Sequence, residues 1–188
     1  MKDLNYGVIG NCRSAALISE QGNIEWLCLP SFDSSSVFAK LLDDKKGGSF
    51  EIHPTHLQKV QQSYISRTNI LVTRFTCDDG IFEIHDFMPR YKQQDSGNYY
   101  TPPDIIRYFK YIDGEPEISI KYHPKLEYAE HQTHNIIEEN YIKSITKKGA
   151  YDSLYFYSSF NLQSILDESS IILSKDEFCL ISYNQKLL

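Results

Sequence analysis

The sequence lacks the features that identify several large classes of protein. No apolar run approaches the roughly 20 residues of a membrane-spanning helix, and the N-terminal segment MKDLNYGVIGN has no hydrophobic stretch of the signal-peptide kind. Basic residues are in deficit, because 19 Lys and Arg stand against 25 Asp and Glu, giving a formal net charge of -6. We therefore predict that the protein has no membrane partner and lies in the cytoplasm. We also predict no nucleic-acid partner, because binding to phosphates requires a basic surface.

Reactive and metal-binding patterns are also scarce. The 4 Cys are scattered without a Cys-x-x-Cys pair, so in a chain without a secretion signal we predict free, mostly buried thiols. The pairs His131-x-x-His134 and His85-Asp86 supply too few converging ligands for a zinc site. No Gly-x-Ser-x-Gly motif is present to form the nucleophile elbow of a serine hydrolase. We expect no metal and no cofactor.

Aromatic residues and short β patterns are abundant. The 14 Tyr and 10 Phe favour strands, because aromatic side chains pack well on pleated surfaces. Residues 69–77 and 81–88 flank Asp79-Gly80, a strong hairpin signal, and residues 15–19 and 24–29 predict a second hairpin. Turn signals at intervals of about ten residues indicate an all-β, two-layer antiparallel β-sandwich (supersandwich-like) with one or two short helices.

The remaining segments complete this prediction. Apolar residues recur at helical spacing in only two segments, residues 34–42 and residues 161–168. The first predicts a short helix after Pro30. The polar segments 55–63 and 91–104 predict loops. Further strands are predicted over residues 50–53, 105–112, 117–122, 135–145, 153–160, 170–174 and 178–183.

Several sequence pieces resemble one known family, in order along the chain. They are IGNCRSAALIS at 9–19, GNIEWLCLP at 22–30, FDS at 32–34, TNIL at 68–71, DFMP at 86–89 and PKLEYA at 124–129. Together they resemble the N-terminal domain of bacterial and archaeal glycoside hydrolase family 15 proteins, the glucoamylase, glucodextranase and trehalase-like enzymes. Ser14 stands where Thr is usual and Glu25 where Asp is usual, while residues 91–104 and 130–150 match poorly.

The resemblance implies a large β-sandwich that is followed in the family by a helical linker and an (α/α)6 barrel. The family's reaction is inverting hydrolysis of an α-glucosidic bond, which needs a carboxylic acid and a carboxylate base. In the family both are Glu residues on barrel loops. No position here matches those motifs, so the expectation is a single β-sandwich domain over residues 1–188, with no catalytic residue and with the barrel absent from this sequence.

Four residues are candidates for a substrate rim or an interdomain contact: Arg13, Trp26, Phe32 and Asp33. Aromatic faces stack on sugar rings, and a carboxylate accepts hydrogen bonds from hydroxyl groups. Each also has a structural alternative. Trp26 in an alternating strand packs into a core, Asp33 caps the predicted helix while Phe32 packs beside it, and Arg13 pairs with a local carboxylate or carbonyl.

The leading functional hypothesis is a non-catalytic domain that supports the barrel of a glucoamylase or trehalase and shapes its active-site mouth. Its partners would be that barrel and an α-glucan or trehalose. One alternative is a stand-alone carbohydrate-binding module that uses exposed aromatic residues. Another is a structural sandwich that self-associates through an exposed docking face.

Overall fold

Two antiparallel sheets packed face to face make up most of the chain. The structure is a computed structural model that describes residues 5–94, 97–149 and 152–187. A short helix, α1, spans Leu162–Leu166, and a 3-10 turn spans Glu127–Ala129. In chain order the strands are β1 Tyr6–Gly10, β2 Ala15–Ser19, β3 Ile24–Cys28, β4 Ser36–Phe38, β5 Ser49–Pro54, β6 Leu57–Tyr64, β7 Leu71–Cys77, β8 Gly80–Phe87, β9 Tyr91–Lys92, β10 Tyr99–Tyr100, β11 Asp104–Gly114, β12 Glu117–His123, β13 Thr133–Ile137, β14 Ile142–Thr146, β15 Ser153–Ser158, β16 Ile171–Ile172 and β17 Glu177–Tyr183.

The order of strands confirms the predicted fold class. Sheet A has the order β1-β2-β3-β5-β12-β16, with β4 also paired to β3. Sheet B has the order β13-β14-β15-β17-β11-β8-β7-β6, and β9 and β10 form a separate two-stranded ribbon. Neighbouring strands run antiparallel, as in the hairpins β2–β3 and β7–β8 that the turn signals predicted.

Buried and more exposed side chains alternate along the strands, so one face of each sheet contributes to a shared core. In β7, Leu71, Thr73 and Phe75 are buried, while Val72 and Arg74 between them are half-buried. Phe75 stacks on Phe82 of β8 with ring centroids 4.7 Å apart. Across the sandwich, Phe50 of sheet A meets Phe156 of sheet B edge to face at 5.7 Å. The core therefore joins strands that are distant in sequence.

A fully buried ion pair bridges the two sheets. Arg107 of β11 and Asp86 of β8 are direct register partners on the inner face of sheet B. The Arg107 Nε donates to Asp86 Oδ1 at 2.8 Å and its Nη2 to Oδ2 at 3.2 Å. The same guanidinium donates to the carbonyl oxygen of Gly22 in the β2–β3 turn and lies 4.7 Å from the ring centroid of Phe50 in β5, so it contacts the sheet A side of the core. Burial raises the pKa of Asp86, and the charge of Arg107 opposes that rise.

The two sheets are also joined along one side, where β1 is the edge strand of sheet A and β6 that of sheet B. The Tyr64 hydroxyl accepts from the Val8 N–H at 2.7 Å and donates to the Val8 carbonyl oxygen at 2.8 Å. Gly7 permits the close approach of β1 to the neighbouring strand β7, because a Cβ at that position would lie 2.4 Å from Leu71 Cδ2.

The predicted helix over residues 34–42 is wrong. Its first part forms strand β4, in which Phe38 pairs with Leu27 and Ser36 with Cys28 of β3. All three residues of β4 are buried, so pairing with the sheet overrides the helical spacing of the side chains.

Other segments differ from prediction in ways that follow from their position in the sheets. Residues 55–63 were predicted as a loop, but most of them lie in β6, an edge strand whose side chains are mostly exposed and therefore polar. Strand β1 has no counterpart in the prediction, and the strand predicted over 135–145 is the hairpin β13–β14. The helix predicted over 161–168 is confirmed by α1.

The four cysteines are free thiols, of which Cys12 is exposed and the other three are buried. Burial raises the pKa of Cys77 to about 11. In the part of the chain that the structure describes, no helix has both the length and the apolar character needed to cross a bilayer.

A charged network lies on the outer face of sheet A around the buried carboxylate of Glu51. Lys40 Nζ donates to Glu51 Oε1 at 2.9 Å, Lys121 Nζ lies 3.5 Å from the same oxygen, and His53 Nε2 lies 3.3 Å from Oε2. The hydrogen bond with His53, followed by those from Ser49 and Lys40, holds the pKa of Glu51 well below its ordinary value of 4.5.

This network predicts a loss of stability in acid. Because the folded state depresses the pKa of Glu51, its stabilising effect is complete above the unfolded pKa and disappears as the pH falls below it. We expect Glu51→Gln to lower the free energy of unfolding by about 1–2 kcal/mol at neutral pH, with the difference from wild type shrinking steadily below about pH 4.5. Urea unfolding across that range measures this, with the exposed Glu139→Gln as control. A pH-independent difference would contradict the assignment.

Candidate functional site

Four connections meet at one end of the sandwich and are hydrogen-bonded to one another. They are the β1–β2 loop (residues 11–14), the β3–β4 loop (residues 29–35), the β8–β11 segment (residues 88–103, described except for 95–96) and the β12–β13 connection (residues 124–132). We call these four segments the loop cluster. It contains three of the four residues that the sequence singled out.

Asn11 holds the centre of the loop cluster. Its side chain is 2% exposed. The Nδ2 donates to the carbonyl oxygens of Pro89 at 3.2 Å and Pro102 at 2.8 Å, while Oδ1 accepts from the backbone N–H groups of Arg13 at 3.1 Å and Ser14 at 3.2 Å. One buried amide therefore fixes both ends of the β8–β11 segment against the β1–β2 loop.

Arg13 connects that segment to the β3–β4 loop. Its Nη1 donates to the Thr101 carbonyl oxygen at 3.3 Å, and its own carbonyl oxygen accepts from the Phe32 N–H at 3.1 Å. The structural alternative for Arg13, a local carbonyl partner, is thus observed. The side chain is only half-buried, which leaves part of it open to the same surface as Phe32.

Phe32 and Asp33 project from a turn that is closed by its own hydroxyl groups. Ser31 Oγ donates to Asp33 Oδ1 at 2.9 Å, and Ser34 Oγ accepts from the Ser31 N–H at 3.2 Å. Phe32 is 62% exposed, and Asp33 is exposed as well. The predicted capping role of Asp33 is wrong, because no helix follows it.

The β9–β10 ribbon adds exposed tyrosines to the loop cluster, in the segment predicted as a loop. Tyr91 and Tyr100 are register partners with ring centroids 6.5 Å apart and planes inclined at 18°. On the other face of the ribbon, Arg90 stacks on Tyr99 at 4.0 Å and its Nη1 donates to Cys12 Sγ at 3.3 Å. These contacts tie the ribbon to the β1–β2 loop.

The 3-10 turn is left-handed and presents Tyr128. Its residues Glu127, Tyr128 and Ala129 have φ values of 54°, 55° and 60°, a conformation that costs about 1–2 kcal/mol per non-glycine residue. Tyr128 is 58% exposed, and its hydroxyl donates to the Ser34 carbonyl oxygen at 3.3 Å. Strained backbone of this kind persists only where contacts with the surrounding structure hold it in place. Such residues are concentrated at functional sites.

Trp26 lies elsewhere and is not in the core. It pairs with Leu17 of β2, which pairs in turn with Val8 of β1. Because cross-strand partners share a face, the three side chains form an apolar row on the outer face of sheet A. Trp26 and Leu17 are half-buried, and Val8 is 48% exposed.

The loop cluster thus offers aromatic faces together with the guanidinium of Arg13 and the carboxylate of Asp33. This is the chemistry of contacts with a polyhydroxylated ligand, in which ring faces cover C–H groups and charged groups bind hydroxyls. Among residues 5–94, 97–149 and 152–187, no group of three or more His, Cys, Asp or Glu residues is arranged to hold a metal ion.

Sequence reasoning did not identify Asn11 or Tyr128 as site residues. Asn11 follows a strand, and asparagine readily accepts bonds from the backbone two or three residues ahead, so that signal was present. The strained turn carries no such signal, because Glu-Tyr-Ala contains none of the residues that favour positive φ.

Comparisons with known proteins agree on one family. Residues 5–158 match the model of a family described as trehalase-like, N-terminal. A trehalase of Thermoplasma volcanium is 36% identical over 138 residues, which cover 72% of this chain and 21% of the relative. Trehalase 2 of Sulfolobus acidocaldarius is 45% identical over 86 residues (46% of this chain, 14% of the relative), and a trehalase of Thermoplasma acidophilum is 39% identical over 116 residues (60% and 19%). The matched part of the chain thus spans about a fifth of these relatives or less, and no solved structure matches significantly.

Proposed function

This chain belongs to the trehalase-like N-terminal family, and from that membership we propose that it is a non-catalytic domain of a glycoside hydrolase family 15-like glucoamylase or trehalase. In this proposal the domain packs on an (α/α)6 catalytic barrel of the same protein and shapes one side of its active-site mouth. The parent activity is hydrolysis of an α-glucosidic bond with inversion.

The observation that carries the proposal is the loop cluster. The buried amide of Asn11, a backbone bond between Phe32 and Arg13, and side-chain bonds from Arg13 and Tyr128 fix four loops into one surface. Arg13, Phe32 and Asp33 are presented on it. Loops held in this way suit the rim of a site whose chemistry comes from a neighbouring domain, since rigid support keeps contacting side chains in place. We assign these three residues to the rim.

The apolar row on sheet A supports the packing part of the proposal. Val8, Leu17 and Trp26 lie side by side on a face that would otherwise be expected to carry polar residues. We assign Trp26 to the contact with the barrel. The two carboxylates of an inverting mechanism, which lie about 6.5–9.5 Å apart, are assigned to that barrel.

A chimera tests the rim assignment. The matching N-terminal part of the Thermoplasma volcanium trehalase is replaced by this chain, and Asp33→Asn or Phe32→Ala is introduced. We expect the chimera to hydrolyse trehalose or maltose and either variant to lower kcat/KM by roughly tenfold, because a rim contact contributes about 1–2 kcal/mol. Phe178→Ala, an exposed aromatic residue on sheet B, is the matched control and should leave kcat/KM unchanged.

Two results would contradict the proposal. Turnover of trehalose or maltose by the 188-residue chain alone would refute a non-catalytic role. Rim variants that behave like the Phe178→Ala control would refute the assignment of the loop cluster to the mouth.

A second candidate is a stand-alone carbohydrate-binding module, which the exposed Phe32, Tyr91 and Tyr100 favour. Such a module binds a longer glucan more tightly than a short one, because successive rings use successive aromatic platforms. Titration of the isolated chain with glucans of increasing length distinguishes the two, since the docking domain shows no increase in affinity. A structural sandwich that self-associates through the Trp26 row would instead be recognised by its mass in solution and by dissociation on Trp26→Ser.

A further inference from the structure

A groove lies between the Tyr128 turn and the chain segment after β4. Its volume is about 320 Å³, and its walls include Ala39, Leu42, Asp43, Lys46, Tyr128 and Ala129. The volume is at the lower end of the range for small-molecule sites in proteins, about 300–1,000 Å³. It is therefore suited to one small ring.

The walls of the groove are fixed by backbone bonds. The Ala39 N–H donates to the Gly47 carbonyl oxygen at 2.8 Å, and the Gly47 N–H to the Asp43 carbonyl oxygen at 2.9 Å. On the other side, the Ala129 N–H donates to the Leu126 carbonyl oxygen at 3.0 Å. A fixed groove needs little ordering when a ligand binds, which favours affinity.

The groove combines exposed apolar surface with a balanced pair of charges. Leu42 is 69% exposed, more than any other large apolar side chain among the described residues. Opposite charges are supplied by Asp43 and Lys46. Asp43 Oδ1 accepts from the N–H groups of Lys45 and Lys46, and these bonds hold the pKa of Asp43 below its ordinary value. The carboxylate is thus ionised at neutral pH and retains acceptor positions on its second oxygen.

We propose that this groove binds a single pyranose ring of a neutral sugar. The face of the ring that carries C–H groups lies against the Tyr128 aromatic face and the Leu42 side chain. Ring hydroxyls donate to Asp43 and accept from the Lys46 ammonium. A neutral ligand fits better than an anion because the carboxylate and the ammonium balance each other. One wall of the groove belongs to the loop cluster, but the inference does not rest on the proposed docking function, because it concerns binding by this chain alone.

Titration of the ¹⁵N-labelled chain with glucose, trehalose and maltose, followed by amide chemical shifts, tests the proposal. We expect shifts at Ala39, Leu42, Gly47 and Ala129 with a dissociation constant of about 1–10 mM, which is the range for one small ring with few polar contacts. Affinity should be similar for one-ring and two-ring sugars, because only one ring is held. Glycerol, a polyol without a ring, should cause no saturable shifts.

Variants separate stacking from other contacts. Tyr128→Ala should weaken binding at least about tenfold, whereas Tyr128→Phe should stay within about threefold, because the ring face remains. Leu42→Asn and Asp43→Asn should each weaken binding by several-fold. Phe178→Ala, at an exposed aromatic residue of β17 outside the loop cluster, is the matched control and should bind as wild type.

Three outcomes would overturn the inference. They are an absence of saturable shifts up to about 100 mM sugar, shifts confined to residues outside the groove, and equal affinity for wild type and Tyr128→Ala. None of these would affect the chimera experiment, so failure of this proposal is distinguishable from failure of the docking function.

Discussion

The substitution Asp86→Ala is expected to lower the free energy of unfolding by about 3–5 kcal/mol, because it leaves the Arg107 guanidinium buried without its counter-charge. Both side chains are fully buried. The effect extends to both sheets, since Arg107 also donates to the Gly22 carbonyl oxygen in the turn that joins β2 and β3 of sheet A. Urea denaturation followed by circular dichroism measures the loss. A variant that is already unfolded without urea would also agree with the prediction, because the loss would then exceed the stability of the wild type.

The partly exposed pair Arg74–Glu83 supplies the control. Its Nη1–Oε1 distance is 2.7 Å, and the side chains of Arg74 and Glu83 are 40% and 15% exposed. Arg74→Ala should cost about 1 kcal/mol or less, because solvent reaches the Arg74 side chain and screens the pair. If Asp86→Ala cost no more than this control, the buried pair would not be the link between the sheets that its geometry indicates.

A double substitution separates charge burial from loss of packing. Asp86→Leu combined with Arg107→Met removes both charges and keeps apolar volume at both positions. Replacement of a buried ion pair by apolar residues is often neutral or stabilising, by about 1–4 kcal/mol. We therefore expect the double variant to be more stable than Asp86→Ala. A double variant less stable than Asp86→Ala would show that the hydrogen bonds of Arg107 across the core matter more than the burial of charge.

The second large effect is expected at Asn11. Asn11→Ala removes four hydrogen bonds and leaves the carbonyl oxygens of Pro89 and Pro102 without their buried donor. We expect a loss of about 2–4 kcal/mol in the free energy of unfolding, from the roughly 1 kcal/mol that a typical buried bond contributes. Amide shifts of Phe32 and Thr101 should change as well, because Arg13 no longer holds its position between them.

Two further variants serve as comparisons for Asn11→Ala. Asn11→Asp keeps an acceptor for the Arg13 and Ser14 N–H groups but cannot donate to the two carbonyl oxygens when ionised, so it should be destabilised like Asn11→Ala. Asn140→Ala, at an exposed position, should leave stability and the Phe32 shift unchanged. An Asn11→Ala protein that matched the Asn140 variant in both measurements would rule out Asn11 as the organiser of the loop cluster.

Local patterns were sufficient for some elements of the fold and not for others. The β7–β8 hairpin was predictable because alternation and the Asp79-Gly80 turn agree within a short stretch. Strand β6 was not, because most side chains of this edge strand are exposed and polar, and Val60 alone packs against the core, which leaves no apolar period. At residues 34–42, Val37 and Phe38 belong to β4, which pairs with β3 and is buried on both faces, so their spacing does not reflect a helix.

The residues of the candidate site also differ in how far the sequence alone predicts them. Arg13, Phe32 and Asp33 were predicted as candidates because their side-chain chemistry is visible in the sequence. The structure places them together in the loop cluster, with the first two joined by a backbone bond. The contact of Asn11 with Pro102 spans 91 positions and depends on how the strands are ordered.

For the Arg107–Asp86 pair a signal did exist: Arg107 occupies an inward position between Ile105 and Phe109, where a charge requires a buried partner.

The hydroxyl of Tyr64 has a consequence for solubility. An edge strand with unpaired N–H and C=O groups is a template on which a strand from another molecule can add, and this is how many β-proteins form fibrils. On β1 both backbone groups of Val8 are already occupied by one phenol. The opposite sheet ends in β6, where Gln58, Lys59 and Gln61 are exposed, and a polar edge of this kind is a poor nucleus for stacking. The contact that closes the sandwich on this side thus also discourages intermolecular strand addition and aggregation.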